Sequence, residues 1–236
     1  RDVVVQLDEL DGSMALSQAN AKGRLRVDVG TSLAVLLIIP ALPDFYARYP
    51  DIQIDLGVTD RPVDLIGENV DCVIRGGDLT DQSLIARRIA EMTFVTCASP
   101  SYLQRHGAPR HPTDLDRGHY VVNFFHPRTG RMLPLDFSAN GERIETAGRH
   151  MIAVNDSMAY VTAATSGLGI IQAPMFMMKK HIEAGRLTRV LTDWTSEPVN
   201  IYVVYPPNRH LSNKLRVFVD WIADLFATNE LMQMKA

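Results

Sequence analysis

The sequence has 236 residues, of which 46% are hydrophobic and 22% are charged, and its formal net charge is -3. This composition is typical of soluble globular proteins, and the length suits one large domain or two lobes of about 100 residues each. A slightly acidic chain without a basic stripe argues against nucleic-acid binding by these residues themselves. Two cysteines, Cys72 and Cys97, are too few for a disulfide framework and favour the cytoplasm, although one buried bridge remains an alternative.

Neither a membrane span nor a signal peptide is expected. The longest apolar run covers residues 33–42 and contains a proline, so it falls well short of the roughly 20 residues that a spanning helix needs. The chain begins with Arg1-Asp2 rather than Met, and no short apolar segment with a small-residue cleavage site follows. We therefore expect a cytoplasmic protein and a sequence that is a fragment of a longer one.

The first 22 residues carry a different pattern from the rest of the chain. Apolar or small residues recur there at alternating spacings of four and three, as in the a and d positions of a coiled coil: Val3, Leu7, Leu10, Met14, Ser17 and Ala21. Gly12 and the short length weaken this pattern. Two interpretations stay open: an amphipathic helix that lies on the body of the protein, and a linker helix that pairs two chains.

From Gly23 onward, strand and helix patterns alternate, which predicts an α/β fold with a parallel sheet. Strands are predicted at 24–30, 52–58, 71–77, 93–98, 120–125 and 199–206, and on each side of a helix that begins at Asp156-Ser157. Further helices are predicted at 31–48, 62–70, 100–106, 174–184 and 211–229. Ser99 is a predicted N-cap and Gly107 a predicted stop. Asn140-Gly141 predicts a hairpin turn.

Two helices begin with polar side chains directly after a strand, at Thr31-Ser32 and at Asp156-Ser157. A helix start presents unpaired backbone N–H groups and a partial positive charge, so it can bind a carboxylate or a phosphate. Ligands of open α/β sheets bind outside the carboxyl ends of the strands, where both starts are expected. The alternative is that these side chains only cap their helices. Pro40 and Pro43 predict a kink that separates the first turns of their helix from a second segment.

Arg75 and Gly76 end a buried strand at the same edge of the sheet, where an arginine could pair with an anionic ligand or simply lie in a surface turn. No catalytic or metal-binding pattern stands out. The seven histidines are scattered without metal-ligand spacing, and no Walker, Rossmann or nucleophile-elbow motif occurs. Gly167 follows a helix and is expected to provide its left-handed C-cap. We expect no enzyme activity, no cofactor and no metal.

The stretch GRLRVDVGTSLAVLLIIPALPDFYARYPDIQIDL resembles the start of the effector-binding domain of LysR-type transcriptional regulators. The family pattern is matched at Gly23 to Arg26, Pro40 to Leu42 and Phe45 to Asp51. The resemblance continues through LIGENVDCVIRGGDL, VTCASPSYLQRHGAPRHPTDL and VNDSMAYVTAATSGLGIIQAP, and so covers nearly all of the chain from residue 23. The IRGG and ASPSYL segments are most similar to the branch that includes CrgA-type regulators.

The resemblance implies a two-lobed α/β fold like that of type 2 periplasmic binding proteins. Lobe I would hold residues 23–98 plus 200–228, and lobe II residues 99–199. Residues 1–22 would end a dimerising linker helix, and 229–236 would form a C-terminal tail. The DNA-binding winged helix-turn-helix of the family would precede this sequence, so the chain is expected to sense an effector and to form a homodimer or tetramer without binding DNA itself.

Carried over position by position, the resemblance places an effector site in the cleft between the lobes: Thr31, Ser32, Arg75, Gly76, Asn123, Phe124, Asn155, Asp156 and Ser157. The helix starts suggest an organic or aromatic acid as effector, and the acidic Asp156 opposite Arg75 would modify which ligand is accepted. Two other functions are weighed against this one. A secreted solute-binding protein of the same fold would carry a signal peptide, and a two-lobed enzyme would need a catalytic constellation in the cleft.

Overall fold

The computed structural model describes residues 21–62, 64–65, 67–77, 83–207 and 212–232. The coiled-coil pattern of residues 1–22 lies outside these residues except for its last two, so the linker-helix prediction stays a prediction. The end of the predicted C-terminal tail also lies outside them.

The first lobe is built on a five-stranded sheet with the order β2-β1-β3-β13-β4. Its strands are β1 (Gly23–Val29), β2 (Ile52–Val58), β3 (Cys72–Gly76), β4 (Ile85–Met92) and β13 (Val199–Tyr205). β1 runs parallel to β2 and β3, whereas β13 runs antiparallel to both β3 and β4. The predicted parallel sheet is therefore a mixed one, because the strand that returns from the second lobe enters it in the opposite direction.

The second lobe contains two three-stranded sheets and a hairpin. One sheet has the order β10-β6-β7 and the other β11-β5-β12. Their strands are β5 (Phe94–Ala98), β6 (Val121–Phe125), β7 (Met132–Leu133), β10 (His150–Val154), β11 (Ile171–Pro174) and β12 (Thr188–Arg189), and the hairpin is β8 (Leu135–Ala139) with β9 (Glu142–Thr146). Among the residues that the structure describes, β5 pairs with β11 and β12 of this lobe. Strand pairing thus places residues 94–98 in the second lobe, whereas the sequence-based boundary placed them in the first.

Five helices of seven residues or more pack on these sheets in the described part of the chain. They are α1 (Thr31–Arg48), α2 (Pro100–His106), α3 (Ser157–Thr165), α4 (Met175–Glu183) and α5 (Asn213–Thr228). The helix predicted at 62–70 is wrong for the residues described there, which form turns. Asp64 Oδ1 accepts the N–H of Gly67 at 3.0 Å, and Asn69 has a left-handed φ of 52°. This local hydrogen bond competes with the helical one.

Pro40 of α1 directly follows a wider turn, whereas Pro43 lies inside the regular helical segment. Residues Ala34–Ile38 form a π-helical turn, and Pro40 lies in the first two positions of the regular segment Ile39–Arg48 that follows. Because a proline has no N–H to donate, it fits best where the hydrogen-bond ladder changes its spacing. The structure shows a change of winding at this place within one continuous helix, and the predicted kink stays a prediction.

The inner face of α1 packs in the core. Phe45 is fully buried, and its ring centroid lies 5.7 Å from that of Phe218 and 4.9 Å from that of Trp221, both on α5. By length and composition alone, α1 is also apolar enough to cross a membrane, which the shorter apolar run considered in the sequence did not indicate. Its packing against α5 explains the apolar character of its buried face, since core helices carry the same composition, whereas Val35 and Ile39 are exposed.

Several local signals are confirmed. Ser99 Oγ accepts the N–H of Tyr102 as an N-cap, and Gly107 follows α2 with a φ of 75°. Asn140 and Gly141 both have positive φ, as a two-residue hairpin turn requires. Cys72 and Cys97 are buried free thiols, and burial raises the pKa of Cys97 to about 12. The alternative of a disulfide bridge is therefore excluded.

Candidate functional site

A cavity of about 520 Å³ lies between the starts of α1 and α3. Its walls come from both lobes: Gly30, Ser32, Leu33, Asp60, Arg75, Gly76, Met92, Phe94, Phe124, Leu133, Pro134, Leu135, Asp136, Ser157, Tyr160, Gln172, Ala173, Pro174, Met177, Ser196, Glu197 and Val199. A volume of this size suits a small organic molecule.

Five of the nine predicted site residues line this cavity: Ser32, Arg75, Gly76, Phe124 and Ser157. The structure brings these five together from two helix starts and two strand ends. The close approach of the helix starts is direct, because the N–H of Ser32 donates to Ser157 Oγ at 3.1 Å across the two lobes.

The other four predicted residues, Thr31, Asn123, Asn155 and Asp156, are not among the lining residues. Asn123 is buried, and its Nδ2 contacts the Ala147 carbonyl at 3.0 Å and His150 Nδ1 at 2.9 Å. Successive side chains of a strand point to opposite faces, so Phe124 can enter the cavity only if Asn123 does not. Asp156 Oδ1 accepts the N–H of Ala159 at 2.8 Å and acts as the N-cap of α3.

A carboxylate already occupies the two helix starts. The N–H of Thr31 donates to Asp60 Oδ1 at 2.8 Å, and the N–H of Ser157 donates to Asp60 Oδ2 at 2.5 Å. The N-cap of α1 is Gly30, which has no side chain to accept a hydrogen bond. The acceptor is therefore supplied from the loop after β2. Sequence reasoning placed an anion at these helix starts but missed Asp60, although it follows a parallel strand just as Thr31 and Asp156 do.

Arg75 forms an ion pair with Asp28, which does not line the cavity. The two side chains form an ion pair through Arg75 Nη2 and Asp28 Oδ1, with 20% and 10% of their surfaces exposed. Burial lowers the pKa of Arg75 and raises that of Asp28, while the attraction between them opposes both shifts. Arg75 Nη1 also donates to the Ile74 carbonyl at 3.2 Å, and Nε is buried without a partner among the described residues. Most donors of this guanidinium group are already engaged.

The remaining walls are mainly apolar. Phe124 and Tyr160 meet edge to face with their ring centroids 5.6 Å apart, and Met92, Phe94 and Met177 also line the cavity. Burial raises the pKa of the Tyr160 hydroxyl, so this group stays protonated. Its oxygen accepts the backbone N–H of Gln172. None of these five except Phe124 belongs to the predicted site. They come from strand edges and helix faces whose apolar pattern also fits an ordinary core.

Two more carboxylates lie at the cavity, on the second lobe and the segment that leaves it. Asp136 Oδ1 pairs with Arg143 Nε at 2.9 Å, and Asp136 Oδ2 accepts the N–H of Glu197 at 3.1 Å. Gln172 is fixed against the same strand, since its Nε2 donates to the Asp136 carbonyl at 2.8 Å. Among the described residues, no group of three or more histidine, cysteine, aspartate or glutamate side chains is arranged to hold a metal ion.

Comparison with known proteins assigns the family. Residues 18–227 match the sequence model of the LysR substrate binding domain. The chain belongs to the LysR family. It is an effector-binding domain of a LysR-type transcriptional regulator, with the two-lobed fold of periplasmic binding proteins, as the resemblance implied.

The relatives of this LysR domain are transcriptional regulators. It is 40% identical over 226 residues to the uncharacterized HTH-type transcriptional regulator YhjC of Escherichia coli K12, an alignment that covers 94% of this chain and 74% of the relative. The full-length virulence activator AphB of Vibrio cholerae superposes with a TM-score of 0.75 at 30% identity, covering 94% and 76% of the two chains. The CrgA regulatory domain of Neisseria meningitidis gives 0.76 at 27% identity, covering 86% and 98%.

Proposed function

We propose that this LysR domain senses a small molecule that binds in the cavity between the lobes and changes the angle between them. The observation that carries the proposal is that both lobes line one cavity. Because a ligand there contacts both lobes, it binds one relative orientation better than others and shifts the population toward it. We propose that this change of angle alters DNA binding by a separate domain of the full-length regulator, and not by this chain.

The chemistry of the walls favours a largely apolar effector. Phe94, Phe124, Tyr160 and Met177 offer aromatic and sulfur-containing surface, and Ser32 and Ser157 add polar groups at the helix starts. The organic or aromatic acid expected from the sequence fits these walls through its ring. Its carboxylate competes with Asp60 for the same N–H groups.

We further propose a non-enzymatic, cytoplasmic protein that works as a homodimer or tetramer. The relatives named as transcriptional regulators support this assignment over a secreted solute-binding protein or a two-lobed enzyme. Thr31, Asn123, Asn155 and Asp156 are proposed to support the effector site from behind its walls, and Ser32, Arg75, Gly76, Phe124 and Ser157 to contact the effector.

A thermal-shift screen tests the sensing proposal. The chain is screened against amides, organic acids, amino acids, phenols and quinones, since a ligand at about 100 times its dissociation constant adds about 2.7 kcal/mol to the free energy of unfolding. Ser196→Trp, in the segment that leads to β13, is expected to fill the cavity and to weaken binding of any hit at least tenfold in calorimetry.

Gln104→Trp is the matched control, because Gln104 is exposed on α2 and does not line the cavity. Ser157→Ala is expected to weaken binding without unfolding the domain, since it removes the acceptor for the Ser32 N–H. A hit that binds Ser196→Trp as tightly as wild type would place the effector elsewhere and contradict the proposal.

A further inference from the structure

The two helix starts form one binding place for a carboxylate. We call it the helix-start seat and define it by the backbone N–H groups of Thr31 and Ser157. Each N–H donates to a different oxygen of Asp60, at 2.8 Å and 2.5 Å. The two helices belong to different lobes, so Asp60 joins the lobes through its side chain. A bound effector carboxylate would use the same two donors and the same helix dipoles.

The arginine beside the seat is also engaged. Arg75 Nη2 pairs with Asp28 and lies 3.4 Å from the Arg61 carbonyl, and Nη1 donates to Ile74. Recognition of a carboxylate by arginine is strongest when two N–H groups donate in parallel. These bonds use three of the five guanidinium N–H groups, and Nε is buried without a partner among the described residues. Arg75 is therefore committed mainly to groups of its own lobe.

The charge of the lining opposes a second anion. Asp60, Asp136 and Glu197 line the cavity, with Arg75 as the one lining arginine or lysine among the described residues. Arg143, outside the lining, pairs with both Asp136 and Glu197. Asp60 is instead held by backbone N–H groups. A cleft lined by negative charge lowers the local concentration of anions and raises that of cations. A free carboxylate would therefore enter an acidic cavity whose own carboxylate holds the best donors.

We propose that Asp60 is a built-in occupant of the helix-start seat and determines specificity, so that the cavity selects an uncharged or cationic, largely apolar effector over a free carboxylate. The inference rests on the proposed function in that the cavity is the effector site. The occupied seat itself is a property of the chain without effector, and it can be tested separately.

The test asks whether removing Asp60 opens the seat to a free carboxylate. Sodium acetate is added to wild type and to Asp60→Ala, with sodium chloride at equal ionic strength as the reference for screening. Asp60→Ala is expected to melt lower than wild type in chloride and to regain about 2–4 °C when acetate is about five times its dissociation constant. Wild type is expected to show no acetate-specific shift.

Asp55→Ala is the matched control, because Asp55 is a carboxylate on β2 that lies outside the cavity lining and pairs with Arg24. It is expected to show no acetate-specific shift. Asp60→Ser keeps one acceptor oxygen in a shorter side chain, and the same acetate response is expected of it should Asp60→Ala fail to fold. An equal acetate shift in wild type, or no shift in any folded Asp60 variant, would overturn the proposal.

The effector class is tested on wild type with a matched pair of probes, benzamide and benzoate. Benzamide is expected to bind at least tenfold more tightly, and the preference is expected to narrow in Asp60→Asn, which removes the charge. If wild type binds benzoate as tightly as benzamide or more tightly, the proposed selectivity for an uncharged effector is wrong. The acetate response needs no effector, so a failed effector screen would count against the proposed function and leave the occupied seat standing.

Discussion

Gly57 controls how closely β2 approaches the charged pair beside the cavity. A Cβ atom on Gly57 would lie 2.4 Å from Asp28 Oδ2. Asp28 is buried and paired with Arg75, so its carboxylate has little freedom to move away. The absence of a side chain at position 57 therefore permits the ion pair that fixes Arg75 in the cavity wall.

Gly57→Ala is expected to lower the free energy of unfolding by about 1–3 kcal/mol, because overpacking displaces the Asp28 carboxylate. Urea denaturation followed by tryptophan fluorescence measures the change. Gly118→Ala is the control, since its Cβ would have only the Asp114 carbonyl nearby, at 3.9 Å. Equal free energies of unfolding for the two variants would show that the Asp28 carboxylate can move aside without loss of stability.

Gly167 and Gly169 show two different reasons for glycine in one turn. Gly167 has a φ of 79°, which is the left-handed C-cap expected from the sequence. A Cβ on Gly169 would instead lie 2.8 Å from the backbone carbon of Val121 and 2.9 Å from the Tyr120 carbonyl. The first role follows from the helix that precedes the glycine. The second depends on β6 packing against this turn and is not visible in the local sequence.

At the scale of elements, α2 is joined to the start of β6 through a buried histidine. Tyr102 of α2 accepts the N–H of Tyr120 at 2.8 Å, and its hydroxyl lies 3.3 Å from His119 Nδ1. Burial lowers the pKa of His119 below its ordinary value of 6.5. The folded state therefore holds a proton on this imidazole less tightly than the unfolded chain does.

The free energy of unfolding is expected to fall as the pH drops below about 6.5, because the unfolded state then binds more protons than the folded state. The contribution of His119 is fully present above pH 6.5 and is lost toward its folded pKa, at no more than about 1.4 kcal/mol per pH unit. Urea melts between pH 5 and 8 measure the slope. His119→Gln is expected to flatten it, and an unchanged slope would assign the effect to other groups.

Strand β4 was not predicted from the hydrophobic pattern of the sequence, and its composition shows why. Its first four residues are exposed, and the segment IARRIAEM carries three charged side chains. These are features of an edge strand, where charges limit pairing with other chains. The strand forms because β13 arrives beside it, which places seven of its residues in register with that strand.

At the scale of the whole molecule, we predict that oligomer formation depends on the N-terminal segment. The a and d pattern of residues 1–22 and the family assignment predict at least a dimer at tens of micromolar. Light scattering measures the mass in solution. The double variant Leu7→Glu with Leu10→Glu places charges in the seam and is expected to reduce the mass to that of a monomer.

Gln6→Glu is the control for charge, because Gln6 lies between the seam positions, and it is expected to leave the oligomer intact. A monomeric wild type would contradict the linker-helix prediction. An oligomer that survives the double variant would place the interface on the body of the domain.

Local interactions explain what the sequence determined by itself. The alternation of strands and helices, the N-cap at Ser99 and the turn at Asn140-Gly141 depend on residues a few positions apart, so they could be predicted one segment at a time. The same logic located Ser32 and Ser157 at the two polar helix starts and Arg75 and Gly76 at a strand end. Phe124, the fifth predicted residue that lines the cavity, came only from the family resemblance.

Only the tertiary structure decided what fills those helix starts and which strand faces turn toward the cavity. Asp60 meets the N–H of Ser157 from 97 residues away, and this contact exists only because the lobes dock with both helices side by side. The antiparallel direction of β13, the place of β5 in the second lobe and the inward side of β6 depend on the same docking. Such contacts form between residues that are far apart in the sequence but close in the folded structure. The order of residues along the chain does not by itself specify those distances.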